Sequence, residues 1–321
     1  MHDIVALGEL LMDFTPVGKS EKGNSIFECN PGGAPANVLA AMAKMGKNTA
    51  FIGKVGKDSF GFILKEVLEN NHICSEGLNL SEVINTTITF VNLDENGDRT
   101  FMFYRKPGAD MMLTEDEVNY DLIKESKIFH FGSVSMTSEP SRTATLKAAK
   151  YAKENGILVS YDPNLRIALW NNEEEARTQI LEGMKYADIV KISEEELEFI
   201  TGIKDFEAGT AYLKDKYEIK IIFVTLGAAG CFYRALMNTG KKSGYKVAAI
   251  DTTGAGDSFL GGALYQILEI GKQLTDLDKC DMEKIIGFAN AVGALVTTKK
   301  GAISIMPDKN EVEKLMNTHT L

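Results

Sequence analysis

Short apolar runs rich in β-branched residues alternate with longer amphipathic patterns along most of this chain. The short runs predict buried strands and the longer patterns predict helices. The predicted strands are residues 4–7, 128–131, 157–161, 189–192 and 221–225, and the predicted helices are residues 34–45, 60–70, 141–155 and 173–184. Strands separated by helices form parallel sheets that are covered on both faces. The chain is therefore predicted to be an α/β protein with a mostly parallel central sheet.

Two stretches depart from this alternation, at residues 13–29 and 86–105. Both contain β-type sequence with no helix between their strands. The second contains Asn96-Gly97, and Asn-Gly between alternating runs is a strong hairpin signal. We interpret the two stretches as a small β-sheet that projects from the main domain as a lid. Because no repeat or long polar linker divides the chain, residues 1–321 are predicted to form a single domain with this lid.

The charge and cysteine content exclude several classes of function. The chain has 35 Lys and Arg against 45 Asp and Glu, a formal net charge of −10, which argues against general nucleic-acid binding. The longest stretch without a charged residue, 29–43, is shorter than the roughly 18 to 20 apolar residues that span a bilayer. The N-terminus lacks a basic segment, so a cytoplasmic protein is expected. The four cysteines, Cys29, Cys74, Cys231 and Cys280, form no Cys-x-x-Cys pair, which indicates reduced thiols and no zinc site.

Residues 250–259, which read IDTTGAGDSF, are the most informative segment for chemistry. A strand is expected to end near Ile250 and a helix to follow, so that the backbone amides of residues 254–257 converge on an anion at the helix N-terminus. Asp257 would lie in the first turn, where a carboxylate can take the proton of an attacking hydroxyl. On local sequence alone, an ordinary helix-terminal acid after a tight turn is equally plausible. Phe259 replaces the third glycine of a dinucleotide fingerprint, and the chain contains no P-loop motif.

Residues 30–38, which read NPGGAPANV, form a second glycine-containing junction before a helix. Paired glycines allow a ligand to approach the backbone closely. Asn37 would lie on the first helical turn, where its amide offers both a donor and an acceptor to a hydroxyl-rich ligand. Taken alone, this segment is explained better by capping and a tight turn than by ligand binding.

Together these two segments resemble the N-terminal and C-terminal signatures of the PfkB (ribokinase-like) family of carbohydrate kinases. The resemblance extends over almost the whole chain and implies an ATP-dependent kinase with a Rossmann-like ribokinase fold and a β-sheet lid over the sugar. Residues 8–13 (GELLMD), 30–37 and 161–166 (YDPNLR) are most similar to fructokinases and the related 2-keto-3-deoxygluconate kinases.

The resemblance also implies a role for each matching residue. Asp257 is expected to be the base, and Gly254, Ala255 and Gly256 to donate amides to the transferred phosphoryl group. The residues that match sugar-binding positions are Asp13, Gly32, Gly33, Asn37, Phe103, Arg105 and Arg166. Because two arginines can hold a carboxylate, an acidic sugar remains open.

Further positions match the family's nucleotide and metal sites. Those expected to bind ATP are Lys191, Ser193, Thr225, Gly227, Gly230, Asn290 and Gly301. Glu196 is expected to act on Mg²⁺ through water, and Asp251, Thr253 and Ser304 to hold a monovalent cation, usually K⁺. Ser193 replaces the more common Asn of the family motif, and Ser193 with Glu196 also has the spacing of a helix capping box.

These observations predict a fructokinase that uses ATP, Mg²⁺ and K⁺. The alternative within the family is a 2-keto-3-deoxygluconate kinase or another sugar kinase. The alternative from a different class is a non-catalytic sugar or nucleotide sensor, against which the intact Asp257 argues, since a sensor needs no base. The open edges of the lid sheet predict a homodimer.

Overall fold

The structure is a computed structural model that describes residues 1–93, 99–236 and 238–318. The strands are β1 (His2–Leu7), β2 (Leu11–Lys19), β3 (Ser25–Gly32), β4 (Thr49–Gly56), β5 (Ile73–Ser81), β6 (Ile88–Leu93), β7 (Arg99–Tyr104), β8 (Ser126–Gly132), β9 (Leu158–Asp162), β10 (Ile189–Ser193), β11 (Ile221–Thr225), β12 (Cys231–Arg234) and β13 (Thr239–Lys242). The helices are α1 (Ala34–Lys44), α2 (Ser59–Asn70), α3 (Tyr120–Lys124), α4 (Ser141–Glu154), α5 (Glu173–Met184), α6 (Glu194–Thr201), α7 (Phe206–Tyr217), α8 (Ala255–Ile270), α9 (Lys279–Val296) and α10 (Lys309–Thr318). The turn predicted at residues 95–98 lies outside the described residues.

The main sheet of the described chain has the strand order β13-β12-β11-β10-β9-β8-β1-β4-β5. In this spatial order, neighbouring strands from β11 through to β5 are parallel, and β12 and β13 add an antiparallel edge. From β1 the chain first continues to β4 and β5 on one side, and later returns to β8 on the other. Such a switch point opens a crevice at the carboxyl ends of the strands, where α/β sheets bind ligands. The predicted α/β fold with a mostly parallel sheet is confirmed.

Helices cover both faces of this sheet, and alternate residues of each strand point to opposite faces. In β1, Ile4 and Ala6 pack into a core shared with α1, α8 and α9, whereas Val5 and Leu7 pack into a second core shared with α4 and α5. All four side chains are fully buried. Burial on both faces explains why these strands read as continuous apolar runs.

The lid is a separate sheet with the strand order β3-β2-β6-β7. It confirms the predicted small sheet, with its strands at residues 11–32 and 88–104 in place of 13–29 and 86–105. Directly paired residues share a face of a sheet. One such row consists of Asn30, Asp13, Thr89 and Phe103, and the row beside it, on the opposite face, consists of Cys29, Phe14, Phe90 and Met102. The lid therefore has one polar row and a largely apolar reverse face.

One local prediction is wrong: no strand ends near Ile250. Residues 243–250 have no ladder partner, and the Ile250 side chain is 61% exposed. The backbone amides of Ile250 and Asp251 instead bond to the carbonyl oxygen of Thr297, just after α9. The end of α9 therefore positions this segment. Local periodicity does not predict such a contact.

Candidate active site

The N-terminus of α8 forms the centre of the site. Gly254 precedes the helix with φ +72°, a conformation that glycine adopts at little cost. The apolar residues Phe259, Leu260, Ala263, Leu264 and Ile267 hold the helix in the core. Asp257 consequently lies in the first helical turn, 8% exposed, at the end of the helix that carries partial positive charge. The Ala255 amide there donates to the Thr252 carbonyl oxygen. The loop of residues 301–304 lies alongside, since a Cβ at Gly254 would come within 3.2 Å of Ala302 Cβ.

Asn37 reaches Asp257 from α1. Its Nδ2 donates to Asp257 Oδ2 at 2.7 Å, while its Oδ1 is buried and has no hydrogen-bond partner among the described residues. The two helices cross closely because Gly261 has no side chain: a Cβ there would lie 2.7 Å from Ala41 Cβ and 3.0 Å from the carbonyl oxygen of Val38. The Asn37 Oδ1 is therefore placed to accept a hydrogen bond from a ligand hydroxyl beside the Asp257 carboxylate.

The turn before α1 is shaped by close backbone contacts. Gly33 has φ +132°, and a Cβ there would lie 2.3 Å from the Glu9 carbonyl oxygen. The Glu9 side chain accepts a hydrogen bond from the Ala34 amide at 2.9 Å, and its other oxygen is buried without a partner in the described residues. Burial raises the pKa of Glu9 to about 7. A Cβ at Gly32 would lie 2.7 Å from Asp13 Oδ2, so this turn brings the α1 N-terminus against the lid.

Lys191 supplies a buried positive charge beside Asp257. Its Nζ lies 2.9 Å from Asp162 Oδ2 and 2.9 Å from where a Cβ at Gly256 would stand. Burial by itself lowers the pKa of Lys191, but the carboxylates of Asp162, Glu196 and Asp257 raise it above its ordinary value. Burial raises the pKa of Asp257, which Lys191 and Asn37 counteract. The Lys191 ammonium group thus forms an ion pair with Asp162 and is influenced by the charges of Glu196 and Asp257, while burial raises the pKa of all three acids.

Glu196 is held by backbone amides on both carboxylate oxygens. Oε2 accepts from the Ser193 amide at 2.7 Å, and the Ser193 hydroxyl in turn accepts from the Glu196 amide. Oε1 accepts from the Leu165 amide at 2.6 Å. The predicted capping box is therefore formed. Glu196 also joins α6 to the loop after β9. In the described residues, no group of three or more His, Cys, Asp or Glu side chains has the geometry of a metal site.

The lid places Asp13 over the strand ends. Burial raises the pKa of Asp13 to about 6, while Thr89 and the charge of Arg166 lower it. The charge of Arg166 also lowers the pKa of Asp257. Phe103 shares the polar row with Asp13. Asp13 and Phe103 therefore lie on the same face of the lid.

Arg105 follows β7 and is buried among three hydrogen-bond partners. Its Nε donates to Asp110 at 2.7 Å, Nη1 to the Thr137 hydroxyl at 2.8 Å, and Nη2 to the Val134 carbonyl at 3.0 Å. The residue is 5% exposed. Three of the five N–H groups of Arg105 therefore tie the end of β7 to the body of the protein, and Arg166 is the exposed one of the two arginines.

The predicted nucleotide residues lie beyond Asp257 along the sheet. Thr225 pairs with Ser193 at the carboxyl ends of β11 and β10. Gly227 and Gly230 follow with positive φ, and a Cβ at Gly230 would lie 2.1 Å from the Lys242 carbonyl oxygen. Asn290 donates to the carbonyl groups of Lys242 and Ser243, which holds the same loop from α9. Gly301 has φ +103° and lies beside Ser304.

The expected monovalent-cation residues lie at the same end of α8. Asp251 Oδ1 accepts from the Thr253 amide at 2.8 Å, which shapes the turn before Gly254. Ser304 lies in the adjacent 301–304 loop and is exposed. Their oxygen-only chemistry suits a hard cation.

Asp162 is the residue that the site assignment from sequence missed. Within the stretch YDPNLR only Arg166 was assigned a role, yet Asp162 holds Lys191. An acid at the end of a buried parallel strand, followed by proline, was the available signal, since such ends line the ligand crevice.

Comparison with known proteins decides the family. The model of the pfkB family carbohydrate kinases matches residues 1–309. The chain belongs to the pfkB family of carbohydrate kinases. The family predicted from the two glycine segments is thereby confirmed, and with it an enzyme class that transfers phosphate to a sugar hydroxyl.

Individual members of the family are similar over the full length. Fructokinase-1 from Oryza sativa subsp. japonica is 47% identical over 317 residues, which cover 98% of each chain. The crystal structure of a fructokinase from Xylella fastidiosa with bound ATP has a TM-score of 0.92 at 29% identity and covers 100% of each chain. A double mutant of the fructokinase from Vibrio cholerae O395, with fructose, ADP and a potassium ion bound, has a TM-score of 0.88 at 34% identity and covers 98% of each chain.

Proposed function

We propose that this protein is a fructokinase, which transfers the γ-phosphoryl group of ATP to a hydroxyl group of fructose. The observation that carries the proposal is the buried Asp257 carboxylate at the anion-binding N-terminus of α8, held at 2.7 Å by the Asn37 amide. The sugar is assigned from the similarity to proteins named fructokinases over the whole chain.

The mechanism follows from the placement of these groups. Asp257 accepts the proton of the sugar hydroxyl as that oxygen attacks the phosphoryl group. The amides of Gly254, Ala255 and Gly256 and the ammonium group of Lys191 stabilise the negative charge that is transferred, because phosphoryl transfer needs positioning and charge neutralisation more than covalent help. Asp13, Asn37 and Arg166 orient the sugar, and the lid excludes water.

The metal requirements are part of the proposal. Carboxylate oxygens such as those of Glu196 suit Mg²⁺, which binds chiefly to nucleotide phosphates and keeps several waters. Glu196 would contact it through water, and the ion would neutralise phosphate charge. Asp251, Thr253 and Ser304 would hold K⁺, in keeping with the potassium ion in the Vibrio cholerae relative.

The commitment of Arg105 bears on the alternative substrate. A carboxylate sugar such as 2-keto-3-deoxygluconate would gain from two arginines, but the guanidinium group of Arg105 already bonds to Asp110, Thr137 and Val134. This observation favours the neutral sugar. The acidic sugar remains the contrasting member of the test panel.

Two further parts of the proposal concern assembly and location. The lid strands expose apolar side chains at Val17, Ile26, Phe27, Met102 and Tyr104, which supports a homodimer formed through the lid. A cleft of about 620 Å³ between β7 and the start of α2, lined by Phe60 and Tyr104, adds to this surface. All four cysteines are free, which is consistent with a cytoplasmic location. No helix of the described chain is both long and apolar enough to cross a bilayer.

The experiment is an ATP-consumption assay with Mg²⁺ and K⁺ against fructose, 2-keto-3-deoxygluconate, ribose, glucose and adenosine. We expect turnover of fructose, and a fall in kcat of about 10²- to 10⁴-fold in Asp257→Asn, because the proton acceptor is lost. Asp281→Asn is the matched control, since Asp281 is also a first-turn acid, in α9, and is bonded to Asp278 and Lys272 away from the site. Turnover of another sugar, or binding without turnover, would contradict the proposal.

A further inference from the structure

The Asp162 carboxylate is engaged by two different parts of the site. Its Oδ2 accepts from Lys191 Nζ at 2.9 Å, and the side chains of Asp162 and Lys191 are only 2% and 7% exposed. The Lys191 ammonium group lies against Gly256, in the turn that binds the phosphoryl group. Among the described residues, the ion pair of Lys191 is the one with Asp162, and Glu196 and Asp257 act on the lysine through their charges.

The other oxygen of Asp162 holds the loop that follows β9. Oδ1 accepts from the Asn164 amide at 3.0 Å, and Asn164 has the left-handed φ of +45°, which asparagine tolerates better than most residues. The next amide, that of Leu165, is bonded to Glu196. Asp162 and Glu196 therefore hold the backbone amides of the two residues that precede Arg166.

Arg166 supplies positive charge to the proposed sugar site. Its charge lowers the pKa of Asp13 in the lid and that of Asp257 in α8. No hydrogen bond ties its guanidinium group to another element among the described residues; the one that is formed goes to the carbonyl group of the preceding Leu165. The position of Arg166 thus depends on the turn that Asp162 closes.

We propose that Asp162 is a positioning residue that couples the two halves of the site. Through Oδ2 it fixes the Lys191 ammonium group at the phosphoryl-binding turn, and through Oδ1 it closes the turn that presents Arg166 to the sugar. The inference rests on the proposed kinase function.

The physical reason is competition among the carboxylates. Without the Asp162 charge, the Lys191 ammonium group would be drawn to Asp257 and Glu196, the other two carboxylates that act on it. An ion pair with Lys191 would occupy the Asp257 oxygens that accept the proton of the sugar hydroxyl. Because phosphoryl transfer depends on positioning, a displacement on the order of 1 Å costs about 10²-fold in rate.

Two substitutions separate the two contacts. Asp162→Asn retains a carbonyl oxygen for the Asn164 amide but loses the charge that holds Lys191. We expect it to lower kcat by about 10²-fold while the fructose Kd, measured by calorimetry, changes by less than about twofold. Asp162→Ala loses both contacts, so we expect the same fall in kcat and a fructose Kd raised by roughly tenfold.

Asp188→Asn is the matched control. Asp188 is likewise a buried aspartate that pairs with lysines, Lys153 and Lys220, and accepts a backbone amide, that of Val159, but it lies at the amino end of β10. We expect this variant to lose stability and to keep kcat and fructose affinity.

The outcomes are distinct. Equal fructose affinity in Asp162→Asn and Asp162→Ala, wild-type kcat in Asp162→Asn, or recovery of its kcat at high Mg²⁺ concentration would each overturn the inference, the last by making Asp162 a metal ligand. If Asp162→Ala does not fold, as judged by its thermal melt, a low kcat with unchanged fructose affinity in Asp162→Asn carries the test. Failure of the wild-type protein to phosphorylate fructose would instead overturn the proposed function.

Discussion

Asp257 and Asn37 are 220 residues apart in the chain, yet one hydrogen bond joins their side chains. At this scale each residue was predictable as a candidate, because its segment contains glycines before a helix. Their contact was not, and neither was the burial that raises the pKa of Asp257. The partners of Arg105 were not predictable for the same reason: Asp110, Thr137 and Val134 come from segments that carry no sequence signal of their own.

Asp13 offers a prediction at the residue scale. Asp13→Asn should raise the KM for fructose by about 10- to 100-fold with a smaller effect on kcat, because hydrogen bonds to a charged group contribute about 1.5 to 3 kcal/mol. Since the pKa of Asp13 is raised to about 6, the wild-type KM should increase as the pH falls through 6, as the carboxylate is protonated. Steady-state kinetics from pH 5 to 8 measure both effects.

Glu28→Gln is the control for Asp13, since Glu28 is an exposed carboxylate on the same lid. It should leave the KM for fructose unchanged. A wild-type KM in Asp13→Asn, or the same acid dependence in that variant, would remove Asp13 from the sugar site.

At the scale of elements, periodicity predicted the strands and helices. The close crossing of two helices depends on single small residues. Helix 173–184 and strand 221–225 begin and end as predicted. The antiparallel edge formed by β12 and β13 and the path of residues 243–254 were not predicted, because neither has a period of its own. At Gly261 α1 and α8 approach each other closely because no side chain separates them, and this brings Asn37 to Asp257.

Gly261→Ala tests this crossing. Alanine normally favours a helix interior by about 1 kcal/mol over glycine. Here its Cβ would lie 2.7 Å from Ala41 Cβ, so we expect the free energy of unfolding to fall by about 1–3 kcal/mol and kcat to fall with it. Gly287→Ala, in α9, meets only the flexible end of Lys242 and should be neutral or stabilising. Chemical denaturation compares the two, and equal stability would show that the crossing tolerates a side chain.

At the scale of the whole molecule, the buried acids make stability depend on pH. The pKa of Glu9 is raised from 4.5 to about 7 because the side chain is buried. Between these values the folded protein retains a proton that the unfolded chain has lost. The stabilisation is therefore fully present below pH 4.5 and is lost as the pH rises through 7.

Glu9→Gln isolates this contribution. The amide can still accept the Ala34 hydrogen bond but does not titrate. Relative to this variant, the wild-type protein should lose about 3 kcal/mol of unfolding free energy between pH 4.5 and 8. Urea denaturation across this range measures the difference, and parallel curves for the two proteins would show that Glu9 is ionised in the folded state throughout.

The lid surface gives a second prediction at this scale. The wild-type protein should sediment with twice the mass of one chain, and Tyr104→Lys combined with Met102→Lys should shift it to a monomer, because both side chains are exposed apolar groups on the lid. Val83→Lys, which replaces an apolar residue that is 85% exposed outside the lid strands, should remain dimeric. A wild-type monomer at all concentrations, or a dimer that survives the double substitution, would exclude the lid as the interface.

The sequence by itself determined the fold class, the lid, the two glycine junctions and the family. These depend on local periodicity, on turn chemistry and on residues that are close together in the chain. Only the tertiary structure decided that Asp162 holds Lys191, that Glu196 joins α6 to the loop after β9 and that Arg105 pairs with Asp110. Such contacts join the ends of different strands, loops and helices, and their partners are selected by burial, where an unpaired charge is costly. That selection acts across the assembled sheet and leaves no periodic trace in the chain.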